Sequence, residues 1–272
     1  MLAAGEIARA GQRLGHTVIV LAETGSTNDD LRTKAEAGAP EGVVVVAEAQ
    51  TRGRGRLGRP WVSPAGKNLT MSVLLRPRWP AEECFRITLL AGLAVAETLA
   101  ERYGLKPRIK WPNDVLIRER KLCGILAEMK ASAGRVDYVV LGLGVNLNLG
   151  REDLPDELRS LATSVGEELG RPVSRPEFAR SLLMALEARY LLMEQGKWPE
   201  VLAAWNHWAA IKGREVVVES GAGTIQGPVM GVDDDGALRV FDRQARVERR
   251  ILAGDVLYAR AIKPSPAGGK GG

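Results

Sequence analysis

The texture of this chain changes at Ile211, and no single motif constrains the fold more. Upstream, strand-like apolar runs are interleaved with segments of helical period. Downstream, only short strand-like runs separated by turn residues remain. These are Val216–Glu219, Gly227–Val232, Leu238–Phe241 and Val256–Ala261, with Asp233–Gly236 as a turn. That spacing predicts a small β-barrel over residues 212–262. Residues 1–211 predict an α+β domain with a mixed, mostly antiparallel sheet, and the tail at 263–272 predicts disorder.

Within the larger part, residues 1–16 carry a weak, Ala/Gly-rich helical pattern and His16–Ala22 reads as a strand. Ser26, Thr27 and Asn28 are helix-start residues, Asp29 and Asp30 suit the first turn, and Gly38 and Pro40 close that helix. Val43–Ala49 reads as a strand buried on both faces, and Leu69–Leu75 as another. Phe85, Leu89, Leu93 and Ala96 repeat at helical spacing, which predicts an amphipathic helix over Ala81–Tyr103 ended by Gly104. Short strands follow at Arg108–Trp111, Val115–Ile117, Leu122–Met129 and Val136–Leu143, with Arg118–Arg120 as a turn. Ser174 and Glu177 fit a capping box for a helix over Glu177–Gln195, and Trp198–Ala210 adds another.

Apolar residues make up 45% of the 272 and charged residues 26%, which allows a packed core and excludes global disorder. The net charge of +5 is compatible with nucleotides, acidic proteins or nucleic acids. Cys84 and Cys123 read as core thiols, and with His16 and His207 they form no metal-binding spacing, so no direct protein ligation of a metal is expected. The N-terminus has no apolar core of a signal peptide, and no apolar run reaches about 18 residues. A cytoplasmic protein that does not enter the membrane is expected.

Three segments carry chemistry. In Gln50–Arg59, glycines alternate with arginines. Glycine lets backbone N–H groups approach a ligand closely, and guanidinium groups are bidentate partners for phosphate or carboxylate. Such a loop would be mobile when empty and order over an anion. It has neither the GK[ST] of a P-loop nor a dinucleotide fingerprint. Composition alone would suit an RGG-like nucleic-acid contact or a solvated loop equally well. In Lys110–Asp114, Pro112 fixes a turn that presents Asn113 and Asp114. Lys121 then opens the next strand, as a point charge for phosphate or carboxylate or as the solvated lysine of a plain hairpin. In Leu141–Asn148, Gly142 and Gly144 mark close backbone approach, and Asn146 needs partners in an apolar segment.

The order of these segments is STN at 26–28, Q-x-x-GRGRxGR-x-W at 50–61, KWPND at 110–114, RKLxGIL at 120–126 and GxGxN at 142–146. It resembles the biotin–protein ligases over roughly residues 18–148, and GVDDDGALRV at 231–240 resembles that family's small SH3-like domain. The resemblance implies a class II synthetase-like catalytic domain. It would activate biotin with ATP to biotinyl-5′-AMP, with Mg²⁺ accompanying the nucleotide. Biotin would then pass to a lysine of a biotin carboxyl carrier protein, such as that of acetyl-CoA carboxylase.

By that resemblance Ser26, Thr27 and Asn28 bind the ureido ring of biotin, with Gln50 nearby. Gly53–Gly58 closes over the ligand; Arg54, Gly55 and Arg56 touch biotin, and the two arginines also reach the phosphate. Trp61 lies near adenine, while Asn113 and Asp114 serve the nucleotide and metal side. Lys121 bridges the biotin carboxylate and the α-phosphate as the main catalytic residue, with Arg56 beside it. Gly124, Gly142, Gly144 and Asn146 form the pocket floor, with Asn146 towards ATP.

Two departures bear on loop stiffness: position 57 is Leu where some relatives carry a basic residue, and Pro60 precedes Trp61. The first strand begins near residue 16, which leaves no room for a helix-turn-helix, so a monofunctional enzyme without operator binding is expected. An exposed sheet edge would allow a homodimer or strand addition by the carrier. The nearest alternative is a lipoate–protein ligase or octanoyl transferase of the same fold, against which the polar STN triplet argues. A nucleic-acid-binding regulator would show steep salt dependence. A non-catalytic biotin-binding module would have no need of Lys121 or KWPND.

Overall fold

The computed structural model describes residues 2–8, 13–220, 223–252 and 254–258. The chain divides into two units, residues 1–210 and 211–272.

The first unit is built on seven strands: β1 (Thr17–Thr24), β2 (Val43–Gln50), β3 (Leu69–Leu75), β4 (Arg108–Lys110), β5 (Asp114–Ile117), β6 (Arg120–Ser132) and β7 (Arg135–Val145). Their order across the sheet is β1-β2-β3-β7-β6-β5-β4. β1 and β2 run parallel and the other neighbours antiparallel. The parallel pair needs a crossover, supplied by α2 (Thr27–Glu36). α2 lays Leu31 and Ala35 on Val43, Val45, Leu74, Tyr138 and Val140. Val44 and Val46, on the opposite face of β2, are also fully buried, so this strand is covered on both sides.

α3 (Phe85–Tyr103) packs on β4, β5 and β6 and against α5 (Arg175–Glu194) and α6 (Trp198–Ala209). The spacing of its large residues predicted an amphipathic helix, yet every residue from Ile87 to Leu99 is buried. The intervening Ala, Gly and Thr positions form a second packing face, so the helix is enclosed all round. It starts at Phe85; Ala81–Glu83 form a separate 3₁₀ turn. Gly104 ends it at φ 64°, where its N–H donates to Ala100 and that of Leu105 to Leu99. Glu97 is buried in this helix and receives two hydrogen bonds from Arg189 of α5, 2.8 and 2.5 Å.

Within the weak helical pattern at the N-terminus, Ala4–Ile7 form α1; residues 9–12 lie outside the described set. The short α4 (Val165–Leu169) has too little apolar periodicity to be anticipated and is capped by Ser164, whose Oγ accepts the Glu167 N–H at 3.2 Å. Ser174 caps α5 in the same way at 3.4 Å.

The second unit is a five-stranded antiparallel sheet with order β11-β10-β9-β8-β12. Its strands are β8 (Glu215–Ser220), β9 (Gly223–Val232), β10 (Leu238–Asp242), β11 (Val247–Ile251) and β12 (Asp255–Tyr258). β11 has no apolar alternation, because its first four residues are exposed on an edge strand, and the apolar pattern therefore missed it. Residues 259–261 of the expected last strand and the tail 263–272 fall outside the described residues.

Candidate active site

The floor of the site is three glycines in two paired strands. Gly142 and Gly144 lie in β7, and Gly124 of β6 pairs directly with Gly144. A Cβ at Gly142 would stand 2.4 Å from Asn28 Oδ1, and one at Gly144 2.5 Å from Trp61 Cε2. At Gly124 it would meet Trp61 Cζ3 at 3.0 Å and Lys121 Cε at 3.2 Å. Side chains from α2 and from the 50–61 segment therefore lie flat on bare backbone.

Above Gly142 is a buried polar cluster. Gln50 Oε1 accepts the Thr27 backbone N–H at 2.9 Å and the Thr27 hydroxyl at 3.1 Å. Ser72 Oγ is 2.7 Å from Thr27 Oγ1 and 2.6 Å from Asn28 Oδ1. Asn28 Nδ2 donates to Glu128 at 2.6 Å. Ser26 stands at the cap position of α2 and is buried, but its hydroxyl makes no cap bond; its carbonyl accepts the N–H groups of Asp29 and Asp30 instead. The first turn of the helix is thereby closed by backbone.

The Gly/Arg segment is a small hairpin, not an irregular loop. Trp61 N–H donates to Gly53 O at 2.9 Å, Gly55 N–H to Arg59 O at 2.7 Å, and Arg54 bridges Pro60. A 3₁₀ turn at Arg56–Gly58 forms the tip, with Leu57 at φ 56°. The two arginines face different ways. Arg56 Nη1 donates to Asn113 Oδ1 at 3.0 Å, and Asn113 Nδ2 donates in turn to Ile125 O at 3.1 Å. Arg54 forks onto Asp29 at 2.6 and 2.7 Å and touches Glu128 at 3.3 Å. That fork holds the Asp29 carboxyl below the usual carboxylate range. Arg54 was expected at substrate phosphate or carboxylate; here protein carboxylates hold it.

Lys121 sits opposite. Its Nζ is 2.8 Å from Asp114 Oδ1 and 5.5 Å from the centroid of the Trp61 ring. Its backbone is gripped by the 161–163 segment: Lys121 N–H donates to Leu161 O at 2.7 Å and Thr163 N–H to Lys121 O at 3.0 Å. Asn146 braces the same segment, giving Nδ2 to Thr163 O at 3.1 Å and accepting from Asn68 at 3.2 Å. Its amide is thus buried and engaged by protein groups. Arg56 and Lys121 are tied to adjacent residues, Asn113 and Asp114, of one turn. Two fixed cations on one turn suit a reaction that builds negative charge on oxygen.

Sequence reasoning passed over Ser72 and Glu128 and read Asp29 only as a helix-start charge. Ser72 did leave a trace: a hydroxyl in the middle of the apolar run LTMSVLL, where a buried polar group demands a partner. Glu128 left none, since a carboxylate near the end of the expected strand Leu122–Met129 reads as a solvated side chain.

Comparisons with known proteins identify the family. The profile of the Biotin/lipoate A/B protein ligase family matches residues 21–146. The bifunctional ligase/repressor BirA of Bacillus subtilis is 40% identical over 80% of this chain, which spans 66% of that relative. The biotin–[acetyl-CoA-carboxylase] ligase of Mycobacterium tuberculosis is 37% identical, covering 89% of this chain and 88% of the relative. The structure of the Aquifex aeolicus biotin protein ligase in complex with biotin and ATP superposes with a TM-score of 0.76 at 30% identity, covering 90% of this chain and 99% of that one. The chain belongs to the biotin protein ligase family.

Proposed function

We propose that this protein is an ATP-dependent biotin–protein ligase acting on the carrier of acetyl-CoA carboxylase. The biotin carboxylate attacks the α-phosphorus of ATP, an O–P bond forms and pyrophosphate leaves. A lysine amine of the carrier then attacks the acyl carbonyl of biotinyl-5′-AMP, and AMP leaves as the amide forms.

Thr27, Asn28, Gln50 and Ser72 receive the polar ureido bicycle. Three of these are buried and all four are hydrogen-bonded to one another, so this end of the pocket offers a polar lining that suits such a ligand better than the acyl chain of lipoate or octanoate. Lys121 neutralises charge between the carboxylate and the α-phosphate, Arg56 closes over the adenylate from the flap, and Trp61 offers its ring to the nucleotide. Magnesium would accompany the ATP phosphates and neutralise the departing pyrophosphate; Asp114, with one oxygen on Lys121, is the carboxylate that would help hold it there. An acyl-adenylate hydrolyses when water reaches it, which is the reason for a flap.

The observation that carries this reading is that Lys121, over Gly124, and Arg56 are held by the adjacent residues Asp114 and Asn113, beside the Gly124–Gly144 floor. The test is incubation with biotin, Mg·ATP and a carrier domain, followed by mass spectrometry. A mass gain of one biotin on one lysine supports it. A gain with lipoate or octanoate but not with biotin would replace it with the acyl-chain reading.

A further inference from the structure

The polar end contains a decision that Ser72 cannot make. The two ends of the Asn28 amide have nearly the same shape, so either could point towards Gly142. A serine hydroxyl donates or accepts with equal ease and tolerates both. An ionised carboxylate only accepts. Glu128 Oε2, 2.6 Å from Nδ2, therefore fixes the amide nitrogen on the β6 side and the oxygen on Ser72; the Leu126 carbonyl, at 3.4 Å, supports the same choice more weakly. The other carboxylate oxygen of Glu128 meets Arg54 at 3.3 Å, and Arg54 forks onto Asp29, the helix neighbour of Asn28. Asn28, Glu128, Arg54 and Asp29 close a ring that joins the flap to the residue facing biotin.

We propose that Glu128 is a positioning residue for biotin: it sets the donor–acceptor polarity of Asn28 and, through Arg54, anchors the flap to that choice. This rests on the ligase reading. Glu128→Gln keeps the shape, and with about a third of its side chain exposed the site tolerates the change. Glutamine presents either an oxygen or an NH₂ group, so the polarity of Asn28 is no longer enforced.

The experiment is biotin-dependent ATP–pyrophosphate exchange by the full chain, for wild type, E128Q, N28A and the double variant, with melting curves to show that each is folded. E128Q is expected to raise KM for biotin about tenfold while kcat and KM for ATP stay within about twofold. In the N28A background E128Q should add nothing, because it acts through the missing amide. An unchanged biotin KM in E128Q overturns the proposal. So does an equal loss in kcat or ATP affinity, or effects of E128Q and N28A that multiply. If wild type itself shows no biotin-dependent exchange, the ligase reading falls and the proposal with it; a normal wild type beside an unaffected E128Q overturns the proposal alone.

Discussion

Adding one methyl group at Gly142 tests whether the polar end is as rigid as its geometry implies. β7 is held between β3 and β6, where Gly142 pairs with Ser72 on one side and Leu126 on the other, so its backbone has little room to retreat. The new Cβ would stand 2.4 Å from Asn28 Oδ1. Non-bonded atoms rest at about 3.5 Å, so the amide must move by roughly 1 Å. Its hydrogen bonds to Ser72 and Glu128, both 2.6 Å, then stretch out of range. A hydrogen bond to a charged group contributes about 1.5–3 kcal/mol. At about 1.4 kcal/mol per factor of ten, KM for biotin should rise roughly ten- to a hundredfold in Gly142→Ala. Overpacking strain of about 1–3 kcal/mol should also lower Tm by several degrees. Gly124→Ala is the control: its nearest neighbours, at 3.0 and 3.2 Å, are the edge of Trp61 and the flexible stem of Lys121, so its biotin effect should be smaller. The assay is a biotin titration of pyrophosphate exchange alongside melting curves. A biotin KM in Gly142→Ala within twofold of wild type would refute the reasoning.

Four further outcomes follow from the same contacts. Lys121→Gln should lower kcat about 10²–10³-fold by loss of charge stabilisation, while its partly exposed ion pair with Asp114 leaves Tm nearly unchanged; pyrophosphate-release rates and melts read both. Arg56→Gly should let the adenylate escape and label lysines on a non-carrier protein, seen as biotin on added albumin. Arg189→Met strands the buried carboxylate of Glu97 between α3 and α5 and should destabilise by about 3 kcal/mol in denaturant unfolding. The Arg54 fork depresses the Asp29 pKa, so that pair contributes stability above the ordinary carboxylate pKa and loses it as pH falls through the folded value. Asp29→Asn should flatten this part of the acid limb of a Tm-against-pH profile.

Much of this was legible along the chain, for identifiable reasons. β2 announced itself because five consecutive buried residues leave a continuous apolar run, and the turn expected at Arg118–Arg120 showed as three charged residues between apolar strands, of which Arg118 and Glu119 make the turn and Arg120 opens β6. α3 was found with its C-terminal end but given four residues too many at its start and misjudged in character, since small residues that pack against other helices look like a solvent face in a one-dimensional pattern. β11 was missed because an exposed edge strand has no apolar period. In the site, the glycines and the flap arginines stood out by residue type. The division of labour between Arg54 and Arg56 did not, because it depends on which carboxylates the fold brings near: Asp29 from α2 and Glu128 from β6 are 99 positions apart in sequence yet share one guanidinium. Asn146 likewise reads as a ligand in sequence and as a brace in three dimensions.

The central claim is that Lys121 and the Arg56 flap together shelter an acyl-adenylate on one glycine floor. Its most direct measurement is the amount of biotinyl-5′-AMP that stays with the protein through rapid gel filtration after incubation with biotin and Mg·ATP without carrier. A stoichiometric complement retained by wild type, far less formed in the same short incubation by Lys121→Gln, and adenylate formed but found free in solution with Arg56→Gly is the predicted pattern. Adenylate retained equally by all three proteins would contradict it.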